Sequence, residues 1–311
     1  MKPEPLVERY RGNPILTRDD VPYPVETVHN AAVVKHDGRY VMLFRSHLRN
    51  GRSIIGIAGS DDGFRFQVRA EPFLVPADRE PFATYEEFGV EDPRVTRIGG
   101  DYWITYSAYS RHGVRVALAR TSDFRSVERV SLITQADYRN VVLFPRRIGG
   151  RYVRLDRPHS EIAPWSIWIS YSPDLVHWGD SRILVKPAAY HWDEMKVGPG
   201  APPVETPAGW LSIFHGVFKT MDGAVYRLGA ALHDLEDPAR VTVADEWILQ
   251  PEDPWERTGY VPNVVFTCGA VAEDDGTLKL YWGGADTVMC AGVARIDALV
   301  ELCRRRSRPP L

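Results

Sequence analysis

Short alternating apolar segments recur along this chain, each directly behind a glycine-bearing turn. Five such segments join a turn to an aromatic-rich strand, at residues 37–44, 99–106, 149–155, 208–214 and 275–281. Successive side chains of a strand point to opposite faces, so alternation behind a tight turn is typical of a β-hairpin. The pattern therefore predicts five hairpins.

Further apolar strands flank each hairpin. The preceding strands are predicted at residues 29–34, 92–95, 140–144, 201–204 and 263–266, and the following ones at 55–60, 116–121, 167–172, 226–231 and 290–294. Several of the following strands run into an Asp-bearing turn and a further aromatic residue, which completes a four-stranded antiparallel sheet. Five copies of such a sheet predict an all-β chain, a single five-bladed β-propeller domain over residues 1–311.

A β-sandwich with long loops is the competing architecture, but it does not explain the fivefold recurrence. Helices should be few, because 24 prolines and 25 glycines interrupt the chain. In a propeller the first strand of each blade lines the central channel. We therefore expect the residues that open these strands to converge on one pocket, namely Asn30, Asp92, Asn140, Asn263 and the stretch from Gly198 to Gly200.

Composition narrows the possible partners. The chain has 311 residues, 44% of them hydrophobic and 25% charged, with a net charge of -3, so no nucleic-acid partner is expected. No apolar window suits a membrane span, and the N-terminus lacks the apolar core of a signal peptide, which predicts a cytoplasmic protein. A basic, proline-ended tail from about residue 304 is expected to be disordered.

The cysteines and the other possible metal ligands predict neither a disulfide framework nor a metal site. Cys268, Cys290 and Cys303 cannot all pair, and they lie in or beside apolar runs, so we expect buried free thiols. Neither their spacing nor that of other residues indicates a zinc site. No metal and no organic cofactor is expected.

The chemistry is expected at residues 88–94, where two adjacent carboxylates precede a proline and an arginine. Because proline cannot donate a ladder hydrogen bond, Asp92 and Pro93 are predicted to open a strand, with the Asp92 side chain in a cleft. A solvated turn is the alternative. Around this acid stand donors that suit an oxyanion such as phosphate: Arg45, Arg139, Asn140, Arg157, Lys196, His215 and Tyr226. A glycosidase needs two carboxylates, so one Asp with many cations suggests phosphorolysis.

Seven ordered motifs resemble a known family. They are GVEDPR at residues 89–94, NVVLFP at 140–145, DRPH at 156–159, KVGPG at 196–200, FHGV at 214–217, YRLG at 226–229 and GAD at 284–286. Together, over residues 13 to 300, they resemble the β-mannoside phosphorylases of glycoside hydrolase family 130, which are five-bladed propellers.

The resemblance implies a role for each matched residue. Asp92 would be the general acid, acting through the 3-hydroxyl of the bound mannose. Asn30, Arg45 and Asp286 would hold the mannosyl ring. The remaining set would hold phosphate, as a substrate rather than a cofactor: Arg139, Asn140, Arg157, Lys196, His215 and Tyr226. The family also contains β-mannosidases that use water and lack parts of the phosphate set, whereas this chain retains every position.

The expected activity is inverting phosphorolysis of a β-mannoside to α-mannose 1-phosphate and a shortened acceptor. The substrate is expected to be of the β-1,4-mannosyl-N-acetylglucosamine or β-1,4-mannooligosaccharide type, with β-1,2-mannobiose or oligomannan phosphorolysis as one alternative and a β-mannosidase as another. A furanoside hydrolase and a non-catalytic sugar-binding propeller are the remaining rivals. Residues 46–51 and 71–88 are expected to shape the acceptor subsite, and self-association into a homo-oligomer is left open.

Overall fold

The computed structural model describes residues 5–221 and 223–311, and strands make up nearly all of their regular structure. A short strand and one turn of 3-10 helix come first, followed by two groups of four strands on either side of a one-turn helix. Their bounds are β1 Val7–Arg9, the 3-10 turn Arg18–Asp20, β2 His29–His36, β3 Arg39–His47, β4 Ser53–Ser60, β5 Gln67–Val68, α1 Phe82–Tyr85, β6 Gly89–Ile98, β7 Asp101–Ser110, β8 Gly113–Thr121 and β9 Glu128–Leu132.

The second half of the chain continues in the same way. Its elements are β10 Tyr138–Leu143, β11 Tyr152–Pro158, β12 Ile167–Ser172, β13 Gly179–Val185, β14 Lys196–Pro199, β15 Val204–Thr206, β16 Gly209–Thr220, β17 Gly223–His233, β18 Val241–Ala244, α2 Pro254–Arg257, β19 Val265–Ala272, β20 Thr277–Gly284, β21 Val288–Arg295, α3 Ile296–Arg305 and β22 Ser307–Arg308.

Strands pair antiparallel with their neighbours within five groups, which begin at β2, β6, β10, β14 and β19. In the fourth group β14 and the short β15 both pair with β16. A single parallel pair, Ser53 with Gly89, joins the first two groups into one eight-stranded sheet. β1 pairs with β21, so the N-terminal segment supplies the outer strand of the last group. The five predicted hairpin strands correspond to β3, β7, β11, β16 and β20, and the prediction of little helix is also confirmed.

Apolar side chains pack between successive groups. Five larger clusters of buried residues each combine side chains of two groups. Four of them join groups that are neighbours along the chain: the first with the second, the second with the third, the third with the fourth, and the fourth with the fifth. The remaining one contains Val33 and Met42 of the first group and Tyr281 and Ala291 of the last. Burial of apolar surface therefore links the first and last groups as it links neighbours along the chain.

Two predicted first strands differ from the structure. β6 begins at Gly89, so Asp92 and Pro93 lie inside the strand rather than at its start. The pairing register shifts between Glu91 and Arg94, and this bulge is one of the few places where a strand accommodates proline. In the fourth group the first strand is β14 at Lys196–Pro199, whereas the predicted segment at 201–204 reaches only the start of β15.

The C-terminus also differs from the prediction of a disordered tail. Residues 296–305 form α3, which buries Leu299, Val300 and Cys303, and β22 pairs with β18. The run that looked like a solvated basic end also contains one buried arginine, Arg308. The cysteine prediction is confirmed: Cys268, Cys290 and Cys303 are buried free thiols. None of the helices in the described part of the chain combines the length and apolar character needed to cross a bilayer.

A buried carboxylate fixes the N-terminal strand. Glu256 is fully buried and accepts hydrogen bonds from Arg9 Nη2 (2.9 Å), Trp282 Nε1 (2.9 Å) and the backbone N–H of Glu252 (2.8 Å). Removing its carboxylate would leave the buried Trp282 N–H unsatisfied and would deprive Arg9 of its buried partner. The network therefore holds β1 and α2 against the last group.

We predict that Glu256→Ala lowers the free energy of unfolding by about 3–5 kcal/mol, the range found when one partner of a buried ion pair is removed. Glu252→Ala is the matched control: Glu252 also pairs with Arg9, at 3.1 Å, but its side chain is half exposed, so about 1 kcal/mol or less should be lost. Urea unfolding of the three proteins measures both values. Equal losses in the two variants would contradict the role given to Glu256.

Candidate active site

The first strands of the groups surround one pocket of about 250 Å³. Nine of the ten predicted site residues line it, together with four residues that the sequence had not indicated. The lining is Asn30, Arg45, Asp92, Arg139, Asn140, Arg157, Trp165, Lys196, Tyr226, Val261, Val264, Phe266 and Asp286. The tenth predicted residue, His215, is fully buried beside Arg157, whose Nη1 lies 3.1 Å from His215 Nε2.

The first strands of the first three groups share one backbone feature where they line the pocket. Asn30, Asp92 and Asn140 all have left-handed backbone conformations, with φ of 50°, 50° and 61°. Each lies where the register between the first and second strands of its group shifts. Asn and Asp tolerate this conformation better than other non-glycine residues, and a bulge re-aims a side chain. Three polar side chains thus leave the regular alternation and enter the pocket.

The fourth and fifth groups do not share this backbone conformation at the pocket. Gly198 makes room: a Cβ there would lie 2.6 Å from His215 Nε2 and 3.3 Å from the Arg157 side chain. Asn263, which was expected in the pocket, precedes β19 with φ of 59° and is not part of the lining, whereas its neighbour Val264 is. The bulge of β19 lies farther along, between Thr267 and Gly269, so the equivalence drawn from sequence does not hold there.

Carboxylates occupy one side of the pocket. Asp92 Oδ1 accepts hydrogen bonds from Asn30 Nδ2 (3.0 Å) and Arg45 Nη1 (3.1 Å). The adjacent Glu91, to which the sequence analysis gave no role, accepts from Arg45 Nη2 (2.7 Å), Ser53 Oγ (3.0 Å) and Arg139 Nη1 (3.3 Å). Glu91 therefore joins an arginine assigned to the sugar with one assigned to phosphate.

The two aspartates of the pocket have opposite pKa shifts. Burial alone would raise the pKa of Asp92, but the charges of Arg45 and Arg94 outweigh it and hold that pKa below its usual range. Burial raises the pKa of Asp286 to about 6, and the nearby Asp92 and Glu91 act in the same direction, against Arg45. Asp286 therefore takes up a proton at a higher pH than Asp92 does.

Cations and aromatic rings form the other side. Lys196 Nζ lies 4.9 Å from the ring centre of Trp165 and 5.0 Å from that of Tyr226, between the two rings. Arg157 also stands over Trp165, at 5.4 Å. Burial, then the charges of Arg157 and Arg139, lower the pKa of Lys196 to about 7, and burial lowers that of Arg157 to about 10.

Arg94 is a further cation beneath the pocket. Its guanidinium is buried and donates from Nη1 to the backbone oxygen of Asp92 (2.9 Å) and from Nε to that of Gly200 (2.9 Å). It also stands over the ring of Phe266, at 5.8 Å. Arg94 therefore connects the second group with the fourth and adds positive charge behind Asp92.

The sequence analysis did not identify several residues of this site, because nothing in their sequence context distinguishes them from ordinary loop or core residues. Trp165 follows the motif at 156–159 in a loop, where an aromatic residue beside a proline has many ordinary explanations. Val261, Val264 and Phe266 look like core residues. Within residues 5–221 and 223–311 no group of three or more His, Cys, Asp or Glu side chains is arranged to hold a metal ion.

The chain is similar to carbohydrate-active proteins along almost its whole length. The model of glycoside hydrolase family 130, described as β-1,4-mannooligosaccharide phosphorylase, matches residues 3–305. A 1,2-β-oligomannan phosphorylase from Thermoanaerobacter sp. is 37% identical over 87% of this chain and 90% of its own length. A β-1,2-mannobiose phosphorylase from Listeria innocua is 40% identical over 80% of this chain and 68% of its own length.

Solved structures show the same likeness. The structure of a Listeria innocua β-1,2-mannobiose phosphorylase in complex with β-1,2-mannobiose superposes with a TM-score of 0.88 and 32% sequence identity. The superposition covers 96% of this chain and 99% of the other. The likeness therefore includes the elements that form the pocket and not only a part of the fold.

We predict that binding of inorganic phosphate in the pocket weakens as the pH rises above about 7, because Lys196 then loses its proton. An anion beside the amine stabilises the charged form, so binding at higher pH must take up a proton. The apparent Kd should rise by up to about tenfold per pH unit, in proportion to the falling charged fraction. Calorimetric titration between pH about 7.5 and 9, where phosphate is mainly dianionic, measures the effect.

Lys196→Arg is the matched control for this pH dependence. A guanidinium stays charged throughout the range, so the variant should bind phosphate with a nearly constant Kd. Proton uptake, read from titrations in buffers with different ionisation enthalpies, should disappear with it. The same pH dependence in both proteins would show that another group is responsible.

Proposed function

The chain belongs to glycoside hydrolase family 130, and on that premise we propose that it is an inverting phosphorylase of β-1,2-linked mannosides. The reaction would transfer a mannosyl group to inorganic phosphate, giving α-mannose 1-phosphate and a shortened acceptor. The relatives' names place the protein among mannoside phosphorylases, so it is an enzyme. The linkage, the residue roles and the direction of proton transfer are our proposals.

One observation carries the phosphate part of the proposal. Arg157 and Lys196 are largely buried, and neither has a carboxylate partner among the described residues. A buried cation without a partner is costly unless an anion binds there. With Lys196 protonated, an excess of two positive charges in and beneath the pocket suits a phosphate dianion. The five cationic side chains and three carboxylates are Arg45, Arg94, Arg139, Arg157 and Lys196 against Glu91, Asp92 and Asp286.

In the proposed mechanism bound phosphate also favours the protonated form of Asp92. Its negative charge would offset Arg45 and Arg94 and raise the pKa of Asp92, so that this residue can carry a proton. The proton would pass through the mannose 3-hydroxyl to the leaving glycosidic oxygen. A phosphate oxygen would form the new bond to the anomeric carbon from the opposite face as the old C–O bond breaks, which inverts its configuration.

The β-1,2 linkage is proposed because relatives at 37% and 40% identity are named for it. The expectation from sequence placed β-1,4 substrates first, and the description of the family model supports that type as the second candidate. Near the pocket, Phe88 and Tyr109 are partly exposed and pack edge to face at 5.4 Å, with Arg139 over Tyr109 at 5.9 Å. We propose that this aromatic pair contacts the acceptor sugar.

We further propose that the five strand groups are the five blades of a single β-propeller domain. Support comes from the apolar clusters between successive groups, including the one that joins the last group to the first. The antiparallel pairing of β1 with β21 gives the last group its fourth strand. The cytoplasmic location expected from the sequence stays a prediction.

The activity is tested by incubating the protein with β-1,2-mannobiose and, separately, β-1,4-mannobiose, each with and without inorganic phosphate. We expect α-mannose 1-phosphate from the β-1,2 substrate and only in the presence of phosphate. The reverse reaction, from α-mannose 1-phosphate and mannose, should form a β-1,2 bond. Preference for β-1,4-mannobiose would favour the second candidate, and release of free mannose at the same rate without phosphate would favour a β-mannosidase.

Arg157→Ala completes this test, because it distinguishes phosphate binding from sugar binding. It removes a charge-assisted contact, so the KM for phosphate should rise by about ten- to a hundredfold. The KM for the mannoside should change little, because Asn30, Arg45 and Asp286 stay in place.

We also predict that Asp92→Asn lowers kcat by about a hundredfold to ten-thousandfold, the usual contribution of general acid catalysis. Asparagine has the same shape and tolerates φ of 50°, so the fold and the bond with Asn30 should persist. The kcat of phosphorolysis, measured beside a thermal unfolding curve, checks both points.

Asp286→Asn is the matched control, since Asp286 is the other pocket aspartate and the one whose pKa is raised to about 6. As a residue assigned to the mannosyl ring it should mainly raise the KM for the mannoside. Loss of kcat in Asp286→Asn with near-normal turnover in Asp92→Asn would exchange the two roles.

A further inference from the structure

The C-terminal strand is tied to a distant segment of the chain by a buried ion pair. Arg308 is 8% exposed, and its Nη2 donates to Asp193 Oδ2 at 2.5 Å and to the backbone oxygen of Lys186 at 3.1 Å. The backbone N–H of Lys186 in turn donates to Pro310 O at 2.7 Å. We call Arg308, Asp193 and the backbone of Lys186 the C-terminal clasp.

Asp193 is the centre of this clasp. It is fully buried, and its second oxygen accepts from His191 Nδ1 (2.8 Å) and from the backbone N–H of Ala188 (3.4 Å). His191 also lies against Asp245, with Nε2 3.3 Å from Oδ1. The carboxylate of Asp193 therefore holds Ala188 and His191, while Arg308 binds the backbone of Lys186 and supplies the buried positive charge.

The same segment leads directly into the pocket. Trp192 stacks on Phe214, with ring centres 5.7 Å apart, and donates from Nε1 to Asp245 O at 2.9 Å. Gly216 of β16 lies so close that a Cβ there would be 2.4 Å from Asp193 Cβ. Met195, two residues after Asp193, donates its backbone N–H to Val217 O, and Lys196 is the next residue. A shift of Asp193 would thus be transmitted within three residues to the amine of Lys196.

We propose that Arg308 is a positioning residue for phosphate: through Asp193 it holds the segment that places Lys196 in the pocket. The inference rests on the proposed function, which assigns Lys196 to phosphate. Without Arg308 the buried carboxylate lacks its cation, and the segment must move to hydrate it. The mannosyl side, with Asn30, Arg45 and Asp92, belongs to other groups. It is linked to the fourth group through Arg94 at Gly200, beyond Lys196 in the chain, so it should be affected less.

The test compares Arg308→Met with the double variant Arg308→Met/Asp193→Asn and with Arg308→Lys. The double variant leaves no buried charge unpaired, so it should fold where the single one fails. Both Met variants lose the hydrogen bonds that join Arg308 to Asp193 and to the backbone of Lys186. In both we therefore expect the KM for phosphate in mannoside phosphorolysis to rise by about tenfold, within the range for a weakened charge-assisted contact. The KM for the mannoside should change by less than about twofold on the same scale. Arg308→Lys keeps the charge and should restore most of the phosphate KM.

A purely structural role predicts a different result. Partial unfolding reduces the concentration of active enzyme and hence the apparent kcat, but it leaves both KM values unchanged. Arg306→Gln is the control, because Arg306 is exposed and, within residues 5–221 and 223–311, its side-chain partner is Glu246 on the surface. Unchanged phosphate KM in both Met variants, or an equal rise for Arg306→Gln, would overturn the inference.

Lys196→Ala separates this inference from the proposed function. If that variant raises the KM for phosphate while the Met variants do not, the clasp has no positioning role and the phosphate site stands. If Lys196→Ala leaves the KM for phosphate unchanged, the assignment of Lys196 fails, and the inference fails with it. A rise in all three supports both.

Discussion

The fold must bring polar side chains to its centre while keeping each first strand buried on both faces. Regular alternation cannot do this, because neighbouring side chains of a strand point to opposite faces. The left-handed conformations of Asn30, Asp92 and Asn140 at register shifts resolve the conflict. Each bulge turns one short polar residue toward the pocket and lets the apolar pattern resume beyond it. Site chemistry and strand packing therefore depend on the same local backbone choice.

The charges of the site follow from how these side chains are supported. Arg45 is held by Asp92 and Glu91, so it is a fixed element of the carboxylate side. Arg139 is more exposed and shares Glu91 from the opposite direction. Arg157 and Lys196 instead rest on aromatic rings, which orient a cation without neutralising it. The pocket is consequently divided into a neutralised half and a half with excess positive charge.

The sequence predicted the five hairpins and the convergence of nine site residues because both depend on local patterns and on ordered motifs. It did not predict Glu91 as a bridge between Arg45 and Arg139, since alternation with Asp92 would send its side chain away from the pocket, and the bulge changes that rule. It also misjudged the tail, because Arg308 looks like any basic terminal residue until Asp193, more than a hundred positions away, is found beside it. Contacts of this kind depend on how segments far apart in the sequence pack together and not on local propensity.

In the proposed mechanism the electrostatics also connect the nature of the nucleophile to the protonation of Asp92. In this structure Arg45 and Arg94 keep Asp92 ionised, which is unsuitable for a proton donor. A phosphate dianion in the cationic half would raise the pKa of Asp92 and of Lys196 together, because both shifts come from added negative charge. Water brings no such charge and would leave Asp92 without its proton. An arrangement that binds phosphate through buried, unneutralised cations therefore also favours phosphate over water in the chemical step, through the protonation of the acid as well as through affinity.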